Sequence, residues 1–315
     1  MNRILITGGN GFLGSNLVRF FLRKSYAVCV ISRKCNNLVD VLDSIEFIEH
    51  ASPGYTQFAD QIGVFNPTVV IHCAWDGGNN YKDVSSFGQF YNNIPQSIEL
   101  LEVISSHTNK PHFVGIGAFS EYGKFESLVD EKTVGVPTSY YGVSKTAFNL
   151  ISKMICDQKD MNWSWIRPCY IYGDGDVETR LIPSLIRKCT GGEDITLDSC
   201  NVVIDYLHVG DFCTGVCAIV DKSASGVFNI CSAEERQLRS IIEFIRNSIQ
   251  SSSRITFDST LNRDRLSTYT CGNNSRLRSL GWKPVTPLEE GLTQMIQSAT
   301  RSGLNHLTTC NMLYQ

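Results

Sequence analysis

The sequence lacks several features that would place it in other classes of protein. No apolar run approaches the roughly 18 residues of a membrane-spanning helix, so no membrane partner is expected. Lys and Arg are scattered, and 28 basic against 31 acidic residues give a formal net charge of −3, so no nucleic-acid partner is expected either. The 12 cysteines include no Cys-x-x-Cys pair, and we therefore expect no metal site.

The N-terminal segment also lacks the parts of a secretion signal. Residues 1–7 lead directly to Gly8 and Gly9, without an apolar core or a cleavage site before them. Cysteines kept from an oxidising compartment stay reduced, and in apolar runs such as 27–31 they act as small hydrophobic groups. We therefore expect a cytoplasmic protein.

Short β-branched runs alternate with segments of helical period in the first half of the chain. The run 68–74 is apolar on both faces, as the central strand of a parallel sheet must be. This alternation predicts an α/β fold with helices on both faces of a parallel sheet. The expected strands are 3–7, 27–32, 45–49, 68–74, 112–117 and 162–168, and the expected helices are 13–24, 56–64, 85–106, 139–158 and 179–190.

A glycine-rich loop follows the first expected strand. Gly8-x-x-Gly11-x-x-Gly14 is satisfied, and so is Gly9-x-Gly11-x-x-Gly14. Glycine permits a tight turn and lets backbone N–H groups approach a pyrophosphate, while the N-terminus of the next helix supplies partial positive charge. Its place between a strand and an amphipathic helix predicts a dinucleotide site. The expected contacts are Gly8, Gly11, Phe12, Leu13 and Gly14.

The end of the second expected strand bears on the choice of dinucleotide. An NAD site usually has Asp or Glu there for the ribose 2′-hydroxyl, whereas an Arg accommodates a 2′-phosphate. Here Ser32 and Arg33 are followed by Lys34, and no acid appears before Asp40. Ser32 and Arg33 therefore favour NADPH over NADH or NAD. A role as surface charges remains the alternative for Arg33 and Lys34.

The alternation of strands and helices becomes irregular after about residue 170. We predict a doubly wound parallel sheet of the Rossmann type with a smaller α/β substrate-binding lobe. The predicted NADP-binding domain is 1–170, with a return segment near 205–230. The predicted substrate lobe is 171–204 and 231–300, and the tail 301–315 gives no signal that we can interpret.

Tyr141 and Lys145 are four residues apart in the expected helix 139–158, so their side chains share one face. With this pair and the glycine loop, the chain resembles the extended short-chain dehydrogenase/reductase family, which contains sugar-nucleotide epimerases, dehydratases and reductases. The resemblance extends to about residue 295. It also rests on the segments 70–74, 121–123, 167–173, 205–211, 262–264 and 280–284 and on Asn93.

This resemblance implies roles for particular residues. Tyr141 would donate a proton to a ketone oxygen that accepts hydride, and the Lys145 cation would lower the pKa of this tyrosine from its usual value near 10. Ala74 would contact the cofactor, as would Tyr141 and Lys145. The helices near 85–106 and 139–158 would pair between subunits, which implies a homodimer.

Two departures from the family pattern affect the expected site. The family has Ser or Thr four residues before Tyr122, where this chain has Ala118. Ser120 is then the candidate hydroxyl, with a backbone N–H group, water or Glu121 as alternatives.

The second departure is the absence of the Arg that similar enzymes often have before Asp205. This loss leaves Arg180 and Arg263 as candidates for the substrate diphosphate, although both are also explained as structural or surface arginines. The other expected substrate contacts are Glu121 and Tyr206.

The favoured function is NADPH-dependent reduction of the 4-keto group of a dTDP- or CDP-linked 4-keto-6-deoxyhexose, giving a deoxysugar donor for a surface polysaccharide. The expected partner is thus a nucleotide-diphosphate sugar. A 4-epimerase with tightly held NAD is the first alternative. A non-catalytic NADP sensor is the second; Ala118 favours it and the Tyr141/Lys145 pair disfavours it. A dehydratase is less favoured, since the 117–119 segment offers no carboxylate pair.

Overall fold

The computed structural model describes residues 2–50, 54–77, 86–261 and 269–311, with side chains of the last helix described up to residue 301. The strands are β1 (Arg3–Thr7), β2 (Ala27–Ser32), β3 (Glu46–Glu49), β4 (Val69–His72), β5 (His112–Ile116), β6 (Trp163–Pro168), β7 (Tyr170–Tyr172), β8 (Ile195–Leu197), β9 (Val203–Ile204), β10 (Tyr206–His208), β11 (Gly226–Ile230), β12 (Arg236–Gln237), β13 (Ile255–Phe257) and β14 (Tyr269–Thr270). The helices are α1 (Phe12–Arg23), α2 (Ala59–Phe65), α3 (Ile94–Ser106), α4 (Tyr140–Gln158), α5 (Leu181–Thr190), α6 (Val209–Asp221), α7 (Leu238–Ile249), α8 (Ser275–Arg278) and α9 (Leu288–Asn311).

The main sheet has seven strands in the order β3–β2–β1–β4–β5–β6–β11, and every neighbouring pair is parallel. The chain runs from β1 to β3 in one direction across the sheet and from β4 onwards in the other. At this reversal the helices that follow β1 and β4 pack on opposite faces of the sheet, the arrangement in which such sheets form a crevice at their carboxyl edge. The predicted fold class is confirmed.

Both faces of this sheet are buried because the central strands carry apolar side chains at successive positions. Ile4 and Ile6 of β1 pack into one core with Phe21 of α1, and Leu5 packs into the opposite core with Phe148 of α4. All three β1 side chains are 0% exposed, and each contributes about 1.5–3 kcal/mol of burial free energy. This packing holds the end of β1 rigidly below the glycine loop.

A further apolar core lies among α5, α7 and α9 and contains Ile186, Ile242 and Leu292. The short sheets β12–β9–β14 and β8–β13 accompany it, and β10 pairs in parallel with β7. Asp211 in the first turn of α6 accepts hydrogen bonds from the backbone N–H groups of Val285 (3.0 Å) and Thr286 (2.9 Å). The segment before α9 is thereby tied to the main body.

The expected helix 85–106 begins as a regular α-helix only at Ile94. A π-helical turn precedes it over Gln89–Asn93, and the side chains at its two ends point inwards. The Asp76 N–H group donates to Asn93 Oδ1 (2.6 Å), and Gln89 Nε2 donates to the Asp76 carbonyl (3.1 Å). Such π-turns often occur at functional sites, and this one fixes the chain just after β4.

None of the helices within the described ranges combines the length and the apolar composition that crossing a bilayer requires.

Candidate active site

The glycine loop forms a tight cradle between β1 and α1. Gly8 has a φ of +67° and lies against the backbone after β4, where a Cβ atom would come within 2.7 Å of the Ala74 backbone. A Cβ atom on Gly14 would lie 2.3 Å from the Gly8 carbonyl oxygen. Gly11 caps the N-terminus of α1 without a side chain. A loop of this shape leaves room for a pyrophosphate at the helix N-terminus, so the residues fit a bound dinucleotide.

Two cavities meet at Gly8 and Gly11. The first, here called the Arg33 cavity, has a volume of about 590 Å³. The second, here called the Tyr141 cavity, has a volume of about 480 Å³. The expected cofactor contacts Ser32, Arg33 and Ala74 line the Arg33 cavity. The expected contacts that line the Tyr141 cavity are Phe12, Leu13, Gly14, Ser120, Tyr141, Lys145, Arg180 and Tyr206.

Tyr141 and Lys145 lie in the first two turns of α4. Lys145 Nζ donates a hydrogen bond to the Ile116 carbonyl at 2.7 Å, and it lies 3.7 Å from the centre of the Trp75 ring. It is 5.8 Å from the centre of the Tyr141 ring. Burial lowers the pKa of Lys145 to about 7, although the nearby Glu121 carboxylate opposes this shift.

The pKa of Tyr141 differs from the expectation. Its surroundings of low polarity raise the pKa to about 12, with Arg180 acting in the opposite direction and Glu121 in the same direction. The expected lowering is therefore not the net result, because desolvation of the phenolate outweighs the favourable charge of Arg180. Tyr141 is thus protonated at neutral pH and can donate its proton.

Ser120 brings a hydroxyl into the region where Ala118 has none. The short 3₁₀ turn Phe119–Glu121 packs against the start of α4, so that a Cβ atom on Gly142 would lie 2.6 Å from the Ser120 carbonyl oxygen. Ser120 lines the Tyr141 cavity. Its buried Oγ atom has no hydrogen-bond partner among the described residues.

The structure gives Glu121 contacts that differ from the expected one with substrate. Its side chain is 0% exposed and its carboxylate accepts hydrogen bonds from four groups of the protein, which leaves none of it facing the cavity. These donors are the Ala118 N–H group (2.8 Å), Trp165 Nε1 (2.9 Å), Arg167 Nε (3.0 Å) and Asn149 Nδ2 (3.2 Å). Glu121 therefore holds the loop that carries Ser120, and it is not among the residues that line the Tyr141 cavity.

The other residues that we expected to bind substrate lie in different parts of the chain. Arg180 pairs with Asp176 at 3.3 Å in the wall of the Tyr141 cavity. The Tyr206 ring packs 5.5 Å from that of Tyr170 in the same wall. Arg263 lies outside the described residues.

A buried group of three possible metal ligands borders the Tyr141 cavity. Donor atoms of Cys169, Asp205 and Cys231 lie within 4.8 Å of one another. The Asp205 carboxylate already accepts hydrogen bonds from the N–H groups of Ser232 and Ala233, both at 2.9 Å. Burial raises the pKa of both thiols, which are then protonated at neutral pH. These contacts support the turn after β11.

Three residues of the site were not singled out from the sequence. Trp75 packs on Lys145, Asp76 pairs with Arg33 at 2.7 Å, and Arg167 binds Glu121 while its guanidinium lies 4.5 Å from the Tyr122 ring centre. The available signal for Trp75 and Asp76 was their position just after a buried parallel strand, the edge at which such sheets bind ligands. Arg167 gave no comparable signal, since its partner is distant in sequence.

Comparison with known proteins identifies the family. Residues 4–231 match the profile of the NAD dependent epimerase/dehydratase family. The chain belongs to this family. The resemblance stated from the sequence is confirmed, and so is the expectation of an NAD(P)-dependent enzyme.

Similar proteins cover nearly the whole chain. CDP-abequose synthase of Salmonella muenchen is 25% identical over 300 residues, covering 93% of this chain and 97% of that protein. A dTDP-4-dehydro-6-deoxyglucose reductase of Escherichia coli is 24% identical over 314 residues, covering 94% and 97%. The solved structure of UDP-glucose 4-epimerase from Thermotoga maritima, with UDP-glucose, has a TM-score of 0.85 at 20% identity and covers 95% of this chain and 99% of its own. This last likeness shows the shared fold.

The burial of the Glu121 carboxylate leads to a prediction about the free energy of unfolding. Replacing Glu121 by Gln leaves the Arg167 guanidinium without its buried counter-charge, so the free energy of unfolding should fall by about 3 kcal/mol. The matched control is Glu193→Gln, which removes an exposed pair with Arg187 (50% and 55% exposed) and should cost about 0.5 kcal/mol or less. Urea unfolding measures both values; equal losses would contradict the assigned role.

The burial of Lys145 leads to a prediction about how the stability of the protein depends on pH. Between its folded pKa of about 7 and its ordinary value of 10.5, the unfolded chain binds a proton that the folded chain lacks. The stability of the cofactor-free protein should therefore rise with pH, relative to Lys145→Met, by up to about 1.4 kcal/mol per pH unit. The buried thiols titrate in both proteins, so the difference between them isolates Lys145. Unfolding at pH 7.5 and 9 gives this difference, and a constant value would refute the prediction.

Proposed function

We propose that this protein is a nucleotide-sugar 4-ketoreductase. It would use NADPH to reduce the 4-keto group of a dTDP- or CDP-linked 4-keto-6-deoxyhexose and so supply a deoxysugar donor for surface polysaccharide. The observation that carries this proposal is the Tyr141 cavity, which has the glycine cradle at one end and Tyr141, Lys145 and Ser120 in its wall. The named relatives, an abequose synthase and a deoxyglucose reductase, support the substrate class.

The proposed mechanism divides the reduction between cofactor and protein. When bound, the dinucleotide supplies the hydride, which reaches the carbonyl carbon. Tyr141 donates its proton to the carbonyl oxygen, so that hydride and proton together convert the ketone to a secondary alcohol. The Ser120 hydroxyl donates a hydrogen bond to the same oxygen while negative charge develops there. Lys145 Nζ lies 5.8 Å from the centre of the Tyr141 ring, and in its protonated form it would stabilise the phenolate that remains.

The walls beyond Ala118 suit a 6-deoxy sugar. Phe119, Phe125 and Cys169 line this end of the cavity, and apolar side chains accept a methyl group without leaving a polar group unpaired. Arg180 and Tyr206 would bind the nucleotide diphosphate, together with Arg263 as the resemblance implies. On this proposal the segments 171–204 and 231–300 form the substrate lobe and 1–170 the cofactor domain.

The alternative function is a 4-epimerase with tightly bound NAD. Solved structures of similar fold contain NAD, and an epimerase would use the same Tyr141 without net consumption of cofactor. A sensor that binds NADP without catalysis is the remaining alternative. We favour the reductase because the similar proteins that cover nearly the whole chain include a dTDP-4-dehydro-6-deoxyglucose reductase and a CDP-abequose synthase. The proposed location is the cytoplasm, since no disulfide joins the cysteines whose side chains the structure describes.

The decisive experiment offers the purified protein dTDP- and CDP-4-keto-6-deoxyglucose with NADPH or NADH, and identifies the product by NMR. Tyr141→Phe should lower kcat by about 10²- to 10⁴-fold, because the proton donor is lost. The matched control is Tyr140→Phe. Its ring packs 4.9 Å from that of Phe87, and it should keep full activity.

In the same assay Ser120→Ala should lower kcat by about 10²-fold, and Ser120→Thr should restore part of it. Wild-type activity in Tyr141→Phe would refute the proposed proton donor. Bound NAD with sugar isomerised and no net cofactor turnover would support the epimerase, and cofactor binding without any turnover would support the sensor.

The proposed homodimer rests on an exposed apolar face. Leu150 (67% exposed) and Met154 (53%) lie on α4, and Tyr91 (75%) lies in the turn before α3. The two helices pack against each other, so a second copy could pair with both to form a four-helix bundle. Leu150→Asp with Met154→Asp should give a monomer by light scattering, whereas the control Val64→Asp (85% exposed, on α2) should not. A wild-type monomer would overturn the proposal.

A further inference from the structure

We infer that Asp76 sets the balance between NADPH and NADH by occupying the guanidinium of Arg33. The inference rests on the proposed dinucleotide site. The acid that an NAD site places at the end of β2 is absent from this chain, since Ser32 is followed by Arg33 and Lys34. The carboxylate is supplied instead from the loop after β4.

The Arg33–Asp76 ion pair spans the cavity. Arg33 follows β2 and Asp76 follows β4, and these two strands lie on either side of β1. Arg33 Nη2 and Asp76 Oδ1 are 2.7 Å apart, so the pair crosses the carboxyl end of β1. Both residues line the Arg33 cavity together with Gly8 and Gly11, the two glycines that also form the cradle.

The main chain at Asp76 is fixed by buried polar groups. Its N–H group donates to Asn93 Oδ1 at 2.6 Å, and its carbonyl accepts from Asn93 Nδ2 (3.2 Å) and Gln89 Nε2 (3.1 Å). Gln89 is 2% exposed and Asn93 6%, and Gln89 Oε1 also accepts from Trp75 Nε1 at 2.8 Å. Because the backbone is anchored, the carboxylate is held at the cavity at little further cost in conformational entropy.

The charges give the two cofactors different environments. A 2′-phosphate carries a charge of about −1.5 to −2, so it must compete with the Asp76 carboxylate for Arg33. A ribose 2′-hydroxyl can instead donate a hydrogen bond to a carboxylate, as it does to the acid of an ordinary NAD site. Arg33 alone would favour NADPH over NADH. When Arg33 is paired with Asp76, the site accepts both cofactors and its preference for NADPH is smaller.

The test measures cofactor binding in the absence of sugar. Dissociation constants for NADPH and NADH are obtained by calorimetry on wild type, Asp76→Asn, Arg33→Ala and a control, Asp40→Asn. Asp40 forms an ion pair of the same type with Arg19 at 2.5 Å and does not line the cavity. Asp76→Asn should raise the ratio of the NADH to the NADPH dissociation constant about tenfold, and Arg33→Ala should lower it. Asp40→Asn should leave the ratio within twofold, and 0.5 M salt should reduce the Asp76 effect.

The possible outcomes separate the inference from the proposed function. If both cofactors bind wild type and Asp76→Asn leaves the ratio unchanged, or weakens both cofactors equally, the inference fails and the proposed function stands. If wild type binds neither cofactor, the proposed function fails, and the inference fails as well because it depends on that function. An opposite change for Asp76→Asn and Arg33→Ala supports the inference, because a loss of loop structure would not move the ratio in two directions.

Discussion

The reversal of strand order between β1 and β4 is the constraint on which the site depends. Because neighbouring strands of the sheet are parallel, the loops after β1, β2 and β4 all emerge at one edge. The helices that follow β1 and β4 pack on opposite faces of the sheet, and Gly8 packs against Ala74 between them. The glycine cradle, the Arg33–Asp76 pair and the Tyr141 cavity all border the crevice at this edge. Without it, none of these groups would share a ligand.

The second constraint is the burial of charge behind that crevice. Lys145 and Glu121 are 3% and 1% exposed, and isolated charges at such depth would be strongly destabilising. The Glu121 carboxylate is balanced by Arg167 and by three neutral donors. Lys145 has the Ile116 carbonyl and the face of Trp75. The lysine is left with a lowered pKa. An anion that binds nearby would therefore raise this pKa and favour the charged form.

The local pattern of apolar residues was sufficient to predict much of the fold. The expected strand 3–7 is β1 as observed, and the expected helix 139–158 differs from α4 by one residue at its start. Residues 4–6 of β1 form an uninterrupted apolar run, and Ser139 caps α4 by accepting from the Gly142 N–H group at 3.0 Å. The expected helix 85–106 was less accurate at its start. The inward hydrogen bonds of Gln89 and Asn93 replace the regular helix there, and periodicity does not report such bonds.

The sequence by itself determined the family, the glycine loop and the Tyr141/Lys145 pair, because each depends on residues a few positions apart whose geometry follows from the helix or the turn that contains them. Only the tertiary structure decided that Glu121 faces Arg167, and that Asp76 faces Arg33. Those contacts join residues 46 and 43 positions apart. Their partners are set by the order of strands in the sheet, which no local spacing encodes, and the burial that shifts the pKa of Lys145 exists only after those strands have packed.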